Sequence, residues 1–303
     1  MCALFGWLDY KGKVSTKLLR KLTQSLANAA EERGTDASGI AYVKHGNITI
    51  YKRPKPAHKL RFCVPNGTSA VMGHTRFTTQ GSEKFNYNNH PFYGNTDRKF
   101  AFAHNGVLYN DKTIRERFQL PETKIETDSY VAVQLLEQCG KLNFDSLKDM
   151  AETVSGNFTF TILDEENTLY FVKGSSPLYL LHFKKLGIYV YASTPSIMKE
   201  ALELCHFPKS KYDVVKVSDG EILRIASDGG ITKDRFQLSS DWYSDYSFWN
   251  EPDYGDDDEL DLLLEVCNCF GMTEDDIFEW LDYGLSCAEI EEILMKPRAF
   301  RNG

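Results

Sequence analysis

The chain has 303 residues, 42% of them hydrophobic and 26% charged, and a formal net charge of −8, which is an ordinary globular balance with ample material for a core. No stretch approaches ~18 consecutive apolar residues, and no cationic flank precedes an apolar run, so we expect neither a membrane span nor a signal peptide. The seven cysteines are scattered without a CxxC pair, which argues against a disulfide framework or a zinc site and predicts reduced thiols in a cytoplasm.

Strand-like and helix-like segments alternate through the body of the chain. Residues 15–33 begin with Ser/Thr and carry apolar side chains at helical spacing, and residues 127–140 predict a second helix that closes on Gly140. Four β-hairpins are predicted: 38–53, 158–174, 178–193, and YDVVKV paired with GEILRI through a turn at 218–220. This alternation predicts an α+β fold of mostly antiparallel sheets with helices on their outer faces.

Charge is distributed unevenly along the chain. Residues 240–303 hold 18 acidic and 3 basic side chains, whereas residues 1–239 hold 25 acidic and 32 basic ones, and this change marks a domain boundary. An acidic tail serves solubility or docks on a basic surface of this chain or of a partner, and the sequence leaves both open. The densest basic stretch, 52–61, contains two prolines and predicts a solvated loop rather than a nucleic-acid site.

The C-terminal part of the chain differs from residues 1–238 in its composition and in its predicted elements. Residues 239–257 are acidic and aromatic without a period, which predicts an extended linker. Residues 258–297 predict three short helices, broken at Gly271 and Gly284. The predicted organisation is a domain over 2–238, a linker over 239–257 and a small C-terminal helical module over 258–297.

Four short stretches of the body carry polar residues in a family-specific order: GHTRFTTQG (73–81), NNHPF (88–92), AHNGVLYN (103–110) and ETDSY (126–130). Singly each is ordinary, because Asn-Gly usually marks a turn and Asp after Thr usually caps a helix. Together with Cys2 and RGTDASG (33–39), they resemble the class II, N-terminal-nucleophile (Ntn) glutamine amidotransferases. The sequence is most similar to the glutaminase domain of glucosamine-6-phosphate synthase, then to that of the phosphoribosyl-pyrophosphate amidotransferases, from Cys2 to about Phe236.

The resemblance implies both a fold and a chemistry. The fold is that of the Ntn hydrolases, a four-layer αββα sandwich of two mostly antiparallel sheets. Cysteine is small enough for Met1 to be removed, which leaves Cys2 with a free α-amine whose reference pKa of ~8 lies near the ~8.5 of the thiol. One residue then supplies both nucleophile and base, and its thiolate attacks the amide of L-glutamine, releases ammonia and leaves a glutamyl thioester for water to hydrolyse.

The family's site residues are carried over to the matching positions. An Asn side-chain amide and the N–H of the next Gly stabilise the oxyanion in the family, which implies this role for Asn105 and Gly106. Arg76 would hold the carboxylate of glutamine bidentately, and Asp128 would pair with its α-ammonium. The remaining matches are Thr79 and Phe77 in the substrate loop, Arg33 in support of the nucleophile, and His90 as a nearby structural residue.

Two positions depart from the family pattern. Ala3 stands where the family usually has Gly, a mild change unless that backbone needs a positive φ. The loop over glutamine reads Phe77-Thr78-Thr79-Gln80 in place of Trp-Ala-Thr-His, which predicts a lid that closes differently or more loosely. No catalytic position is lost, so we expect an active enzyme that needs no cofactor and no metal.

The sequence does not identify the ammonia acceptor. About 65 residues follow Phe236, fewer than a synthase domain needs. We therefore expect a separate partner or acceptor subunit, or a simple glutaminase, with the acidic C-terminal module as the segment that recruits or regulates a partner. The sequence leaves a homo-oligomer open and indicates neither a nucleic-acid nor a membrane partner.

Other interpretations of the same residues stay open. By itself, Cys2 would be a small buried residue on the first strand. A different Ntn amidohydrolase, one that cleaves acyl amides, would keep Cys2 but has no need of Arg76 and Asp128 as an amino-acid clamp. A non-enzymatic glutamine-binding or scaffold protein on an inherited fold would bind glutamine and release no ammonia, or would lack an intact mature N-terminus. His74 and His104 are weaker candidates for the base than the α-amine.

Overall fold

The computed structural model describes residues 2–238, together with Thr273, Ile277, Trp280 and Ile290. Ile277, Trp280 and Ile290 are helical, and Ile277 and Ile290 are buried. The predicted linker over 239–257 and the rest of the predicted module over 258–297 lie outside the described residues. The proposed domain organisation therefore stays a prediction.

Within residues 2–238 the chain forms thirteen strands and five α-helices. The strands are β1 (Ala3–Asp9), β2 (Ala37–Lys44), β3 (Asn47–Arg53), β4 (Ala70–Arg76), β5 (Phe92–Asn95), β6 (Lys99–Leu108), β7 (Gly156–Asp164), β8 (Leu169–Lys173), β9 (Tyr179–Phe183), β10 (Ile188–Ala192), β11 (Asp213–Val214), β12 (Glu221–Ile225) and β13 (Ile231–Arg235). The helices are α1 (Thr16–Ala29), α2 (Asp111–Arg117), α3 (Tyr130–Cys139), α4 (Phe144–Thr153) and α5 (Pro195–Leu204).

The strands form two sheets in which every neighbouring pair is antiparallel. The first sheet has the order β11-β9-β10-β1-β4-β2-β3, and the second has the order β13-β12-β8-β7-β6-β5. The start of β1 therefore lies beside the end of β4 and the end of β10, because antiparallel neighbours run in opposite directions.

Side chains that alternate along each strand divide the core into three layers. On β1, Phe5 and Trp7 pack against α1 and α5, whereas Leu4 and Leu8 pack between the two sheets. A third apolar layer covers the outer face of the second sheet under α3 and α4. Helix, sheet, sheet and helix are thus stacked in that order, which confirms the predicted α+β, four-layer sandwich.

Most predicted elements of the body are present, and one hairpin is wrong. The hairpins β2–β3, β7–β8 and β9–β10 are confirmed, as is α1 with its Ser15 cap, and α3 ends on Gly140 at φ 72° as expected. The predicted pair around 218–220 is not a hairpin. Strand β11 extends the first sheet beside β9, whereas β12 lies in the second sheet between β8 and β13. The turn at Gly220 therefore leads from one sheet to the other.

Candidate active site

Three strands bring their polar ends together at one edge of the space between the sheets. On β4, Met72 packs between the sheets, so Arg76, four residues on, lies on the same face. On β6, Ala103 packs between the sheets, which gives Asn105 the same orientation from the opposite sheet. Cys2 directly precedes β1, where Ala3 pairs with Thr75, so that Cys2 stands next to the end of β4.

Cys2 is half-buried and is held through both its side chain and its backbone. Its Sγ lies 3.5 Å from the carbonyl oxygen of Phe77, and its own carbonyl accepts a 2.8 Å hydrogen bond from Nε of Arg33. Burial raises the pKa of the Cys2 thiol above its usual value, while Arg76 acts in the opposite direction. Ala3 lies in extended β1 and has no positive φ, so alanine in place of glycine costs nothing in the backbone.

Asn105 and Gly106 do not form a turn, contrary to one sequence-based interpretation. They lie in the middle of β6, paired with Thr159 and Phe158 of β7. Gly106 has φ +138°, and a Cβ built on it would lie 1.7 Å from the carbonyl oxygen of Asn157, so only glycine fits there. The Asn105 side chain is buried, and its Nδ2 lies 3.4 Å from Oγ of Ser193.

Arg76 is a buried cation that pairs with neutral oxygens. Its guanidinium donates to Oδ1 of Asn89 (2.7 Å) and to the carbonyls of Gln80 (2.6 Å) and Gly81 (2.7 Å). Among the described residues, no carboxylate lies within 4 Å of it. Burial lowers the pKa of Arg76, while the thiol of Cys2 and nearby carboxylates act against that shift.

Asp128 is the matching buried anion. It lies before α3, which begins at Tyr130, so it is not the helix cap that its sequence context suggests. Its Oδ2 accepts from the backbone N–H of Leu108 (2.6 Å), and its Oδ1 accepts from the hydroxyl of Ser129 (3.2 Å). Within the described part of the chain, no Lys, Arg or His nitrogen pairs with it.

The loop after β4 is held by hydrogen bonds at Thr78 and at Gln80. The backbone N–H of Thr78 donates to Asp36 (2.7 Å), and Nε2 of Gln80 donates to Asp111 and to the carbonyl of Glu126, at 3.1 Å each. Thr79 is exposed, and Phe77 is 51% exposed. Gln80, which departs from the family pattern, therefore anchors the loop through its own hydrogen bonds. The roles of Thr79 and Phe77 in substrate binding stay predictions.

Three histidines near Arg76 are buried, namely His74, His90 and His104. The rings of His74 and His90 lie 4.2 Å apart, and Nε2 of His74 donates to the carbonyl of His104 (2.9 Å). Burial lowers the pKa of His74 to about 3 and lowers the pKa values of His90 and His104 as well. His104 points to Ser129 on the helix side of β6. Because their pKa values are lowered, these imidazoles are weak bases.

Acid should destabilise this cluster in a way that one substitution can detect. His90 is neutral in the fold but protonates near pH ~6.5 when unfolded, so its contribution to stability is complete above pH ~6.5 and is lost as the pH falls. Neither ring nitrogen of His90 has a hydrogen-bond partner among the described residues, so His90→Phe sacrifices no such bond. We expect this variant to lose less free energy of unfolding on acidification, by up to about 1.4 kcal/mol per pH unit.

Urea unfolding of wild type and His90→Phe from about pH 8 to about pH 4.5 measures this difference. Between about pH 7 and 8 the two curves should run parallel, because the imidazole is then neutral in both states. Identical acid slopes for the two proteins would contradict a neutral, buried His90.

Known proteins resemble this arrangement in sequence and in fold. A family model described as "Glutamine amidotransferase domain" matches residues 74–200. Glutamine–fructose-6-phosphate aminotransferase [isomerizing] from Staphylococcus aureus (strain COL) is 31% identical over 243 residues, which are 77% of this chain and 37% of that protein. The enzyme of that name from Bacillus cereus (strain ATCC 10987 / NRS 248) is 31% identical over 186 residues, 59% of this chain and 30% of the relative.

A solved structure adds the fold. Glutamine phosphoribosylpyrophosphate amidotransferase from B. subtilis, complexed with ADP and GMP, superposes with a TM-score of 0.60 at 22% identity, covering 78% of this chain and 50% of that one. The chain carries a class II glutamine amidotransferase domain. The predicted resemblance to glucosamine-6-phosphate synthase, another name for the aminotransferase above, is thereby confirmed. The chain spans about a third of the length of these curated relatives.

The amidotransferase domain also relies on residues that the sequence did not single out. Lys52, predicted in a solvated loop, lies on β3 and donates to the carbonyls of Asn89 and Pro91 (3.0 Å to the latter). Burial lowers the pKa of Lys52 to about 8, and the nearby charge of Arg76 adds to that effect. Lys52 thus fixes the segment whose Asn89 side chain holds Arg76. The quoted NNHPF stretch was the available signal for Asn89, whereas nothing in the sequence marked Lys52 or Ser193.

The described residues hold neither a metal-binding cluster nor a membrane-spanning helix. No group of three or more His, Cys, Asp and Glu side chains is arranged there to hold a metal ion. In the same part of the chain, no helix is both long and apolar enough to cross a bilayer. The cysteines Cys2, Cys63, Cys139 and Cys205 are free thiols.

Proposed function

We propose that the amidotransferase domain hydrolyses L-glutamine to glutamate and ammonia through a glutamyl thioester on Cys2. The observation that carries this proposal is the pair of buried, opposite and unpaired charges, Arg76 and Asp128, both close enough to Cys2 to act on the pKa of its thiol. A buried charge without a counter-ion costs several kcal/mol, so a site that keeps two of them is built for a ligand that carries both complements.

A free α-amino acid is such a ligand. Its carboxylate suits the planar guanidinium of Arg76, and its α-ammonium suits the carboxylate of Asp128. An acyl amide without an amino-acid head would leave both charges unpaired. The side chain of an amino acid held in this way would extend toward Cys2. The side chain of glutamine ends in a carboxamide, the group that the thiol would attack, and is one methylene longer than that of asparagine.

The reaction needs a base, because burial raises the pKa of the Cys2 thiol and so disfavours the thiolate. In a mature chain that begins at Cys2, the α-amine takes that proton and the sulfur attacks the carboxamide carbon. Nδ2 of Asn105 and the backbone N–H of Gly106 would donate to the resulting oxyanion. The C–N bond then breaks, the leaving nitrogen takes a proton and departs as ammonia, and water hydrolyses the thioester.

The fate of the ammonia is a further part of the proposal. The names of the relatives pair glutamine with a second substrate, fructose 6-phosphate or phosphoribosyl pyrophosphate. For this chain, an acceptor on a separate partner subunit stays a prediction, as does a role for the acidic C-terminal module in recruiting it.

A panel of four amides tests the proposal. L-Glutamine is compared with glutaramate, which lacks the α-ammonium, with 4-aminobutanamide, which lacks the carboxylate, and with an N-acyl amino acid. We expect ammonia release from glutamine with kcat/KM at least about 100-fold higher than from either truncated amide, because each leaves one buried charge unpaired. Cleavage of the N-acyl amino acid alone would favour the acyl-amide hydrolase, and glutamine binding without ammonia would favour a non-catalytic binding protein.

A further inference from the structure

We infer that Ser193 is the positioning residue that orients the Asn105 amide toward the oxyanion, an inference that rests on the glutaminase activity proposed above. Ser193 directly follows β10 and is 1% exposed. Its Oγ accepts two hydrogen bonds, one from the backbone N–H of Leu4 (2.8 Å) and one from Nδ2 of Asn105 (3.4 Å). A single hydroxyl oxygen therefore joins the strand that carries the nucleophile to the amide in the opposite sheet.

The Asn105 amide needs such a partner to be useful. The terminal torsion of an asparagine side chain is broad, so the amide plane is not fixed by its own rotamer. Nδ2 carries two hydrogens. When one of these hydrogens bonds to Ser193, the N–H bond to the other has a defined direction. A donor contributes to an oxyanion hole only when it is oriented before the negative charge develops.

The other bond of Ser193 explains why this oxygen is well placed. Pairing between β1 and β10 ends at Phe5 and Ala192, so the N–H of Leu4 lies just past the end of the ladder. The Ser193 hydroxyl accepts it there, two residues from Cys2. The same atom thus fixes the separation between the start of β1 and the side chain of Asn105.

The backbone of Ser193 is anchored independently of its own side chain. Thr194 caps α5 at the N–H of Ile197 (3.2 Å), and its hydroxyl donates to Oε1 of Glu32 (2.8 Å). The hydroxyl of Ser196 donates to the other carboxylate oxygen of Glu32 (3.1 Å). Arg33, which follows Glu32 in the sequence, donates a hydrogen bond to the carbonyl of Cys2. Removal of the Ser193 hydroxyl should therefore disturb the amide more than it disturbs the chain path.

A double-mutant cycle in the full chain tests this inference. Ser193→Ala should lower kcat for glutamine hydrolysis about tenfold with little change in KM, because the oxyanion exists only along the reaction path. In an Asn105→Ala background, which by itself costs about 10²–10³ in kcat, the same Ser193→Ala change should cost less than about twofold. If Ser193→Ala does not fold, Ser193→Cys takes its place in the cycle.

A matched control separates positioning from stability. Oγ1 of Thr23 is buried and accepts from Nε1 of Trp7 (2.9 Å), away from Asn105, so Thr23→Val also orphans a buried N–H. It should lower the melting temperature as Ser193→Ala does, with kcat unchanged. Equal losses with and without Asn105 would overturn the inference, and so would wild-type kcat for Ser193→Ala. A wild-type protein that releases no ammonia would instead overturn the proposed function.

Discussion

Cys2→Ala is expected to abolish ammonia release from glutamine, with kcat falling at least about 10⁴-fold, while glutamine still binds. The loss is large because the Cys2 thiol is the atom proposed to form the thioester. Binding is expected to persist because Arg76 and Asp128, the proposed partners of the two charges of the amino acid, are untouched. Alanine is also small, so removal of the preceding Met1 is not affected.

Exposed cysteines elsewhere in the domain provide the control for this prediction. Cys63→Ala and Cys139→Ala should keep the wild-type kcat, since both thiols lie at exposed positions away from the site. Steady-state ammonia release and calorimetric titration with glutamine measure the two quantities. Substantial turnover by Cys2→Ala, or loss of turnover in either control, would contradict the role given to Cys2.

Arg76→Gln is expected to lower kcat/KM for glutamine by about 30- to 5,000-fold, the range that corresponds to about 2–5 kcal/mol for one partner of a buried charge pair. The substituted amide cannot make a bidentate, charge-assisted contact with a carboxylate. It also weakens the hold on the carbonyls of Gln80 and Gly81, so kcat should fall along with the rise in KM. Arg76→Lys should recover only part of the loss, because a point charge lacks the planar geometry.

The truncated amide 4-aminobutanamide isolates the carboxylate contact. Wild type and Arg76→Gln should differ much less with this substrate than with glutamine, because the group that Arg76 is proposed to bind is missing. Arg20→Gln is the matched variant, since Arg20 also holds a loop carbonyl, that of Val64 (2.6 Å), but outside the site. An equal loss with both substrates would mean that Arg76 acts only through the loop.

Local elements of this fold were predictable wherever one residue type decided the backbone. The helix end at Gly140 needs a positive φ and is predicted in place, and the predicted 38–53 hairpin turns at Gly46, which also has a positive φ. The same signal misled at Gly220, where positive φ starts a passage between sheets, and at Asn105–Gly106, where it serves a continuous strand. A turn signal fixes the local backbone and leaves open which strands then pair.

Local patterns could not predict the candidate site because its members come from strands β4 and β6 and from the segments that precede β1 and α3. Single motifs did not place Arg76 near Asp128, and the resemblance to a family supplied that expectation. Two of the supporting residues, Ser193 and Lys52, had no sequence signal. Ser193 is one serine after a strand, and Lys52 looked like part of a solvated basic stretch; only the packing of two sheets brings them to Asn105 and Asn89.

In the proposed reaction, Cys2 acts as an N-terminal nucleophile in a pocket that selects an amino acid. Intact mass after treatment with 6-diazo-5-oxo-L-norleucine, a glutamine analogue that alkylates a nucleophilic thiol, tests it most directly. We expect a chain that begins at Cys2 and carries one adduct on that residue, with excess glutamine suppressing the labelling. A chain that retains Met1 and gains no adduct would contradict it.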